Sequence, residues 1–377
     1  MKDSGSSGGD AAAGGGGSHL LVRRVMQMTM VVVAFVVVWI LMYNSSSPFA
    51  IPVFSRYITT RDSTMISYDP ELESVLRNAS MENKTVIITT LNDAWAEPNS
   101  IFDIFLKSFH LGIETERLLK HLVVITLDQK AHARCQALHP HCYQLETKGD
   151  NFTKEAFFMT QDYLKMMWRR IQFLGSVLEM GYSFVFTDTD IMWLRNPFNE
   201  FYNDGDFQIA CDFYNGNSND LNNLPNGGFN YVKSNEKTIW FYKFWLNSRK
   251  AYPKMHDQDV FNKIKMNPLI QNIKLKIRFL GTMHFGGFCQ PSKEFNQVCT
   301  MHANCCVGLD NKVNDLKILL DDWSKYMALP NNTKLNVHPS WTVPQSCKCR
   351  RLDPYINHFT DHSKRFGLSN LFFLHWK

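Results

Sequence analysis

The sequence lacks a dense stripe of Lys and Arg, and its net charge of +5 is small for 377 residues. Nucleic-acid-binding domains carry such a stripe as their electrostatic footprint, so we expect no nucleic-acid partner. The sequence also lacks the C-x2-C spacing that favours a structural zinc site. Its late cysteines occur instead as Cys305-Cys306 and Cys347-x-Cys349, a pattern that does not favour zinc.

Apolar side chains are nearly absent from residues 1–18, which consist almost entirely of Gly, Ala, Ser and Asp. A segment of this composition cannot bury enough apolar surface to fold. Arg23 and Arg24 follow it, directly before a long apolar run. Because basic residues beside a membrane span stay on the cytoplasmic side, we predict that residues 1–24 form a disordered cytoplasmic tail.

Charge is absent from residues 25–43, a run long enough at helical rise to cross the hydrocarbon core of a bilayer. Trp39 and Tyr43 lie near its far end, as aromatic residues do at membrane interfaces. The alternative is a cleaved signal peptide, but the run exceeds a usual h-region and no small-residue cleavage pattern follows closely. We therefore predict a transmembrane signal-anchor with the remainder of the chain in the lumen.

Two features of the remainder agree with an oxidising, glycosylating compartment. All nine cysteines lie beyond the run, and some of them are expected to pair. Cys135 is a partner for Cys142; the others are expected to pair among Cys289, Cys299, Cys305, Cys306, Cys347 and Cys349. The N-x-S/T sequons also lie there, at Asn44, Asn78, Asn83, Asn151 and Asn331.

Three segments follow the predicted anchor. Residues 44–80 are interpreted as a stem, residues 81–310 as the folded domain and residues 311–377 as a C-terminal extension packed on that domain. The domain opens with "KTVIITTLND", whose β-branched run predicts a strand over residues 86–91. "SIFDIFLKSFHLG" then predicts a helix that ends at Gly112.

The same pattern recurs along the chain. A strand is predicted at 122–127, with a helix after Asp128. "YLKMMWRRIQFLGSVLEMGY" predicts a long amphipathic helix, and "SFVFTDTD" predicts the third strand. Strands that alternate with helices form a mostly parallel sheet covered by helices, which defines the α/β class.

Polar residues follow each predicted strand. In α/β sheets, ligands bind beyond the carboxyl ends of the strands. Asn92-Asp93, Asp128 and the pair Asp188 and Asp190 all fall at such ends. The sequence therefore predicts a ligand site at this edge of the sheet.

Asp188 and Asp190 are separated by one residue, and in extended chain such residues point the same way. Two carboxylates so close repel each other unless a cation lies between them. Hard oxygen ligands suit Mg²⁺ or Mn²⁺, which commonly also bind substrate phosphates. We predict a divalent ion that carries a diphosphate. A pair of solvated turn carboxylates is disfavoured by the apolar residues on both sides.

A phosphatase of the haloacid-dehalogenase type also uses D-x-D after a strand. There the motif opens the domain, and Thr or Val usually stands four residues after the first Asp. Here that position is Met192, and about a hundred residues of predicted α/β structure come first. The phosphatase reading is therefore disfavoured.

Three motifs occur in one order, "FVFTDTDIMWLRNPF", "NGGFNYVKSN" and "HDQDVFN". Together they resemble the plant nucleotide-diphospho-sugar transferase family, glycosyltransferase family 77, over roughly residues 85–310. The resemblance implies a GT-A fold and sugar transfer with retention. It also implies that Asp188 and Asp190 hold Mn²⁺ (or Mg²⁺), with Asp188 near the ribose.

The second motif contains Asn226, Gly227 and Gly228. In similar enzymes a turn here lets the backbone approach the donor sugar, and glycine suits such an approach because it has no side chain. A plain hairpin turn built on Asn-Gly is the alternative.

The third motif contains Asp257, Gln258 and Asp259. In related enzymes an acidic residue here contacts the donor sugar or the acceptor near the anomeric carbon. Asp257 is preferred for that contact, with Gln258 in the donor site. The alternative use of Asp259 is to cap the helix that follows.

A His late in the domain is the usual third metal ligand in similar enzymes. His302, followed by Gly308 and Lys312, resembles an H-x-x-G-x-x-K element with stretched spacing, and Lys312 would then contact the donor. His284 in "GTMHFGGF" is the competing candidate. Neutral imidazole is a suitable ligand for Mn²⁺.

The long helix carries Lys165, Arg169 and Gln172 at a spacing that places them on one face. A cation on this face would neutralise the diphosphate leaving group, while Arg170 is expected to point elsewhere. The alternative is a solvated basic face.

Fold analogy places the nucleotide base beside Thr90, Leu91 and Asn92, at the end of the first strand. The predicted function is a Golgi type II membrane glycosyltransferase. It moves arabinose, galactose or xylose from a UDP-sugar to a cell-wall polysaccharide or glycoprotein, and other Golgi transferases are possible partners. The alternative function is a non-catalytic lumenal protein that binds sugar nucleotide or scaffolds a transferase complex.

Overall fold

The computed structural model describes residues 26–37, 69–146, 159–334 and 339–347. The chain divides into two compact units, Met1–Ser63 and Thr64–Lys377. In the first unit, residues 26–37 form a helix whose residues are all exposed. Across the described ranges, no helix combines the length and the apolar character that a membrane span requires. The remainder of the predicted anchor lies outside the described residues, as do the tail 1–24, Asn44, Asn151 and Cys349.

Ten strands are described in the second unit. They are β1 (Thr85–Leu91), β2 (Leu122–Thr126), β3 (Cys142–Gln144), β4 (Ser183–Thr187), β5 (Ile191–Trp193), β6 (Phe207–Phe213), β7 (Leu224–Val232), β8 (Ile277–Phe279), β9 (Phe285–Gly287) and β10 (Thr300–His302).

The α-helices of this unit are numbered separately. They are α1 (Pro70–Ala79), α2 (Asp93–Ala96), α3 (Ile101–Leu111), α4 (Gln129–Leu138), α5 (Gln161–Glu179), α6 (Glu236–Ser248), α7 (Asp257–Ile264), α8 (Pro268–Asn272), α9 (Leu309–Ala328) and α10 (Asn331–Lys334). Two short 3₁₀ helices cover Glu116–His121 and Pro197–Glu200.

The central sheet has seven strands in the order β3-β2-β1-β4-β7-β6-β8. β7 runs antiparallel to both of its neighbours, and the other pairs are parallel. The predicted α/β architecture with a mostly parallel sheet is confirmed. The strand "SFVFT" is fourth in the chain rather than third, because the short β3 precedes it. β1 and β2 are buried on both faces, as expected for strands covered by helices.

Two apolar cores fill the two faces of the sheet. One contains Trp168 of α5 and Trp245 of α6, and the other contains Phe105 of α3 and Trp323 of α9. α1 lies in the segment predicted as stem, and its Leu72 and other apolar residues are buried in the first core. α9, in the predicted C-terminal extension, is held to α3 where Trp323 Nε1 donates to the Leu111 carbonyl at 3.1 Å.

A second sheet has three strands in the order β5-β10-β9. β10 is antiparallel to β5 and parallel to β9. This small sheet brings a late segment of the chain beside the segment that follows β4, and so places His302 opposite Ile191.

Three disulfides are formed, Cys135–Cys142, Cys289–Cys305 and Cys306–Cys347. The first is the pair predicted from the sequence, and the other two join cysteines of the predicted later group. Cys211 and Cys299 are buried free thiols. Of the predicted later group, Cys299 is therefore not paired, because it is buried beside backbone carbonyls of residues 196 and 297.

Candidate functional site

Asp188 and Asp190 lie in a turn between β4 and β5. The sequence predicted extended chain here, which is wrong, because the Asp188 carbonyl accepts a turn hydrogen bond from the Ile191 amide at 3.2 Å. The Asp188 amide donates to the Gly228 carbonyl at 2.7 Å, which ties the turn to β7. The two carboxylates nevertheless converge, because one oxygen of each lies within 4.8 Å of a His302 ring nitrogen.

His302 reaches the pair because β10 is hydrogen-bonded to β5. Its Nε2 lies 3.1 Å from Asp190 Oδ1. His284, the competing candidate, lies elsewhere, with Nδ1 3.1 Å from the Gln297 carbonyl and Nε2 3.4 Å from Glu200 Oε2. The structure thus places His302, rather than His284, with the two aspartates.

Lys312 approaches Asp190 from the first turn of α9. Its Nζ donates to Asp190 Oδ2 at 2.5 Å and lies 5.3 Å from the centre of the Trp95 ring. Burial opposes ionisation of Asp190, but Lys312 and His302 hold the pKa of Asp190 well below its usual value. Asp190 is therefore an ionised carboxylate. The predicted contact between Lys312 and the sugar-nucleotide donor would be made by an ammonium that also lies beside Asp190.

Arg170 is the buried cation of the site. Its Nη1 donates to Asp188 Oδ1 at 3.0 Å and its Nη2 to Asp257 Oδ2 at 2.6 Å, with only 7% of the side chain exposed. Burial opposes ionisation of Asp257, but Arg170 and His256 together lower its pKa to about 2. Burial raises the pKa of Asp188, although Arg170 counteracts it.

The expectation that Arg170 points away was wrong. Arg169 bonds Gln172 Oε1 at 2.9 Å and the Glu146 carbonyl at 2.7 Å, and Lys165 is exposed. The polar stripe chosen from the sequence faces away from the core, whereas Arg170 occupies the buried face of α5. The sequence does carry a signal for this placement. Arg170 lies three residues from Met167 and three from Phe173, so it shares the buried face of α5 with these two apolar residues.

α7 begins in the site. His256 is its N-cap, with the ring accepting from the Gln258 amide at 3.3 Å, so the alternative in which Asp259 caps the helix was wrong. Asp257 is buried and faces Arg170, while Asp259 is half-buried beside His256 Nε2 at 3.4 Å. Of the two acids, Asp257 is the one that the structure brings to the aspartate pair.

The two glycines lie within β7, not in the predicted turn. Gly227 donates its amide to Gln258 Oε1 at 2.9 Å, and Gly228 donates to Asn226 Oδ1 at 2.9 Å. A Cβ on Gly228 would lie 2.6 Å from both Asp188 Oδ2 and His302 Cε1. Real Cβ atoms do not approach so closely, so a side chain at this position would force the Asp188 carboxylate and the His302 ring to move. The backbone of β7 therefore forms one wall of the site.

The three residues predicted to lie beside the nucleotide base have different surroundings in the structure. Thr90 lines a pocket of about 10 Å³ together with Leu127 and Arg170. The Leu91 side chain is buried in the core, and Asn92 Oδ1 accepts from the Trp95 amide to cap α2. Of the three side chains, Thr90 is the one that shares a pocket with the site.

Asp212, at the end of β6, was missed by sequence reasoning. Three side-chain amides donate to its carboxylate, those of Asn226, Gln258 and Asn304. Burial raises the pKa of Asp212, and these amides counteract it. An Asp that ends a buried strand was the available signal, as it was for Asp188.

The cluster fits a divalent cation. Asp190 Oδ1 is buried and makes no hydrogen bond, although His302 Nε2 lies 3.1 Å away. An acceptor left without a donor is costly unless a cation satisfies it. Two carboxylates and one imidazole form a donor set that suits Mn²⁺, and also Mg²⁺ where water completes the coordination. Asp188, Asp190 and His302 would hold such an ion.

Comparison with known proteins identifies the family of this chain. A family model described as nucleotide-diphospho-sugar transferase matches residues 117–316, and the chain belongs to this family. The resemblance inferred from its motifs is confirmed.

Three similar proteins are from Arabidopsis thaliana. Two uncharacterised proteins are 51% and 39% identical, over 74% and 76% of this chain and 73% and 87% of their own lengths. UDP-D-xylose:L-fucose alpha-1,3-D-xylosyltransferase 3 is 23% identical over 62% of this chain and 64% of its own length.

Proposed function

We propose that this protein is a GT-A-type glycosyltransferase that moves a sugar from a UDP-sugar to a polysaccharide or glycoprotein acceptor, with Mn²⁺ or Mg²⁺ and with retention. The observation that carries the proposal is the convergence of Asp188, Asp190 and His302 against the side-chain-free wall at Gly228. Such a site suits a UDP-sugar. Its diphosphate would bind an ion held by Asp188, Asp190 and His302, and its sugar would lie against the backbone of β7.

The charge balance of the site supports a bound divalent cation. Three carboxylates, those of Asp188, Asp190 and Asp257, face two cationic side chains, those of Arg170 and Lys312. These side chains carry one net negative charge and the nearby Asp212 carboxylate adds a second, so a divalent ion would offset the charge that otherwise repels a diphosphate. A bound Mn²⁺ or Mg²⁺ would supply Lewis-acid stabilisation of the charge on the departing diphosphate.

Lys312, Asp257 and Arg170 would have separate roles in binding the donor. Lys312 lies at the edge of the metal cluster, where its ammonium would pair with a phosphate oxygen of the leaving group. Asp257, with a pKa lowered to about 2, is ionised and can only accept hydrogen bonds, which suits a sugar hydroxyl. Arg170 holds Asp188 and Asp257 in fixed positions relative to each other.

Retention leaves two chemical routes. The acceptor hydroxyl attacks from the side that the leaving group vacates, or a carboxylate first forms a covalent adduct with the sugar. Both routes place the acceptor on the leaving-group side. The relative named as a UDP-D-xylose:L-fucose xylosyltransferase supports xylose as one candidate sugar, beside arabinose and galactose.

The proposed location is the Golgi membrane, with residues 25–43 as the anchor, the catalytic unit in the lumen and other Golgi transferases as possible partners. The three disulfides support an oxidising compartment. The described sequon residues Asn78, Asn83 and Asn331 are all exposed, as glycan acceptors must be.

The test is donor turnover by the segment from Thr64 onward, because α1 packs into the core and must be kept. The protein is incubated with Mn²⁺ and UDP-xylose, UDP-arabinose or UDP-galactose, and UDP release is followed. We expect hydrolysis of one donor that is abolished by chelator and by Asp190→Ala. Binding of UDP without turnover in the presence of acceptor oligosaccharides would favour a non-catalytic protein that binds sugar nucleotide. Absence of metal-dependent binding would contradict the enzyme and leave a scaffold of a transferase complex.

A further inference from the structure

The Asp212 carboxylate is surrounded by side-chain amides. Asn226 Nδ2 and Asn304 Nδ2 each donate to Oδ1 at 2.8 Å, and Gln258 Nε2 donates to Oδ2 at 3.2 Å. No described ion pair involves Asp212. Asp212 is half-buried, and a carboxylate withdrawn from water without a cationic partner is costly to ionise, which favours a role beyond stability.

Each of the three carboxamide side chains is held by two hydrogen bonds. Its NH2 group donates to Asp212, and its oxygen accepts from a backbone N–H. Asn226 Oδ1 accepts from the Gly228 amide at 2.9 Å, and Gln258 Oε1 accepts from the Gly227 amide at 2.9 Å. In the same way, Asn304 Oδ1 accepts from the Cys289 amide at 3.1 Å. A backbone N–H can only donate and a carboxylate can only accept. Each side chain therefore has one orientation that satisfies both neighbours.

The network reaches the metal cluster. The Gly228 carbonyl accepts from the Asp188 amide at 2.7 Å, and a Cβ at Gly228 would lie 2.6 Å from His302 Cε1. The neighbouring Gly227 is close to the donor side, since a Cβ there would lie 3.5 Å from Arg170 Nη2. The position of the two glycines thus depends on amides that Asp212 orients.

We propose that Asp212 is a positioning residue that orients the three carboxamides so that the backbone of β7 and the Gln258 side chain are correctly placed for the sugar of the donor. This inference rests on the proposed function. Asp212 makes no described hydrogen bond or ion pair with Asp188, Asp190 or His302, although it lies near enough to His302 to interact electrostatically. Its effect is therefore expected to be larger on turnover of the sugar than on capture of the nucleotide by Asp188, Asp190 and His302.

Asp212→Asn tests the proposal, because an amide cannot accept from all three carboxamides and must turn an NH2 group toward at least one of them. Asp206→Asn is the matched control. Asp206 lies at the other end of β6 and accepts from Asn235 Nδ2 at 2.9 Å and from the Lys276 amide at 3.0 Å. The same substitution there reports the cost of losing a structural carboxylate.

The kinetic experiment uses the full chain in detergent. We expect Asp212→Asn to lower kcat for UDP-sugar hydrolysis about 10- to 100-fold, as small misplacements of site groups do. Its Mn²⁺-dependent affinity for UDP should fall much less than kcat does. Adding Gln258→Ala to Asp212→Asn should cost less than the two separate losses combined, because Asp212 acts through Gln258.

Two results would overturn the proposal. One is a kcat like that of Asp206→Asn. The other is a loss of UDP binding that parallels the loss of turnover and of thermal stability, which would indicate a structural role.

A second measurement separates this proposal from the proposed function. Hydrogen exchange of the peptide over residues 225–232 should accelerate in Asp212→Asn and not in Asp206→Asn, since the amides of Gly227 and Gly228 lose their fixed acceptors. This readout needs no donor. Unchanged exchange would refute the role of Asp212 even in an active enzyme. Faster exchange in a protein that binds no UDP would refute the proposed enzyme, and with it the assignment of the network to a donor sugar.

Discussion

Arg170 Nη1 lies 3.0 Å from Asp188 Oδ1, so a cation from the buried face of α5 contacts the first aspartate of the metal cluster. The second guanidinium nitrogen lies 2.6 Å from Asp257 Oδ2. One planar side chain thus links the end of β4 to the start of α7. Because guanidinium offers two donors at a fixed separation, it sets the distance between these two carboxylates in a way that an ammonium cannot.

Replacing Arg170 should therefore disable the site. Arg170→Ala leaves two carboxylates facing each other without a cation, and loss of one partner from a buried pair costs about 3–5 kcal/mol of stability. We expect no measurable UDP-sugar turnover and a lower melting temperature. Arg170→Lys should restore stability in part but little turnover. Arg169→Ala is the control, and wild-type turnover in Arg170→Ala would contradict the assignment.

Gly228 and Gly227 are neighbouring glycines that differ in the space available to a side chain. A Cβ on Gly228 would collide with Asp188 Oδ2 and His302 Cε1 at 2.6 Å, whereas one on Gly227 meets its nearest atom, Arg170 Nη2, at 3.5 Å. Gly228→Ala should displace the metal ligands and weaken Mn²⁺-dependent UDP binding about 10-fold or more. Gly227→Ala should bind UDP nearly as the wild type does. Isothermal titration with Mn²⁺ present measures both, and equal affinities would argue against a metal site at this wall.

The strands and the pair of aspartates at the end of β4 were predictable because they are local patterns, although the pair lies in a turn and not in the predicted extended chain. β1 and β2 are continuous β-branched runs, and Asp188 and Asp190 directly follow another such run. The GT-A resemblance then supplied His302, which sequence spacing alone left in competition with His284. Only the pairing of β10 with β5, segments more than a hundred residues apart along the chain, brings His302 to the site.

The site residues that were missed have partners distant in sequence. Arg170 interacts with Asp257, and Asp212 with Asn304, and no periodicity within a helix or strand encodes such contacts. The turn predicted from the Asn-Gly sequence is absent for a different reason. Asn226 and Gly227 have weak strand propensity and lie where the register between β6 and β7 shifts, but β7 is paired with β6 on both sides of them.

His302 is proposed to bind the metal, whereas His284 lies apart from the two aspartates. Removing one of three ligands should raise the apparent dissociation constant for Mn²⁺ in His302→Ala by about 10- to 100-fold. His284→Ala should leave Mn²⁺ affinity unchanged, because His284 contacts Glu200 and the Gln297 carbonyl. Mn²⁺ titration followed by electron paramagnetic resonance reports free metal directly. An unchanged titration curve for His302→Ala would remove it from the ligand set.

The sequons test the membrane topology. Asn83 precedes β1, at the opposite end of that strand from the site, and Asn331 begins α10 beyond the far end of α9 from Lys312. Glycans there would leave the site open. In plant microsomes we expect the protein to shift in gel mobility on treatment with N-glycosidase, with smaller shifts for Asn83→Gln and Asn331→Gln. A protein that carries no glycan on any sequon would contradict the lumenal orientation.

The disulfides beside the site should matter more for metal binding than the remote one. Cys305 and Cys306 lie between His302 and Lys312, and their bridges to Cys289 and Cys347 restrain this segment. Asp315 adds to the restraint by accepting from the Cys347 amide at 2.7 Å. The segment must therefore hold its shape for the imidazole and the ammonium to meet Asp190.

Replacing Cys306 and Cys347 together by Ser should lower stability by about 3–4 kcal/mol, as expected for a loop of this length. It should also weaken Mn²⁺ binding, because the segment that carries His302 and Lys312 gains freedom. The matched variant replaces Cys135 and Cys142, whose bridge lies between α4 and β3. This second variant should lose stability and keep the Mn²⁺ affinity of the wild type. Equal Mn²⁺ affinities in the two variants, measured below both melting temperatures, would show that the Cys306–Cys347 bridge stabilises the fold without shaping the site.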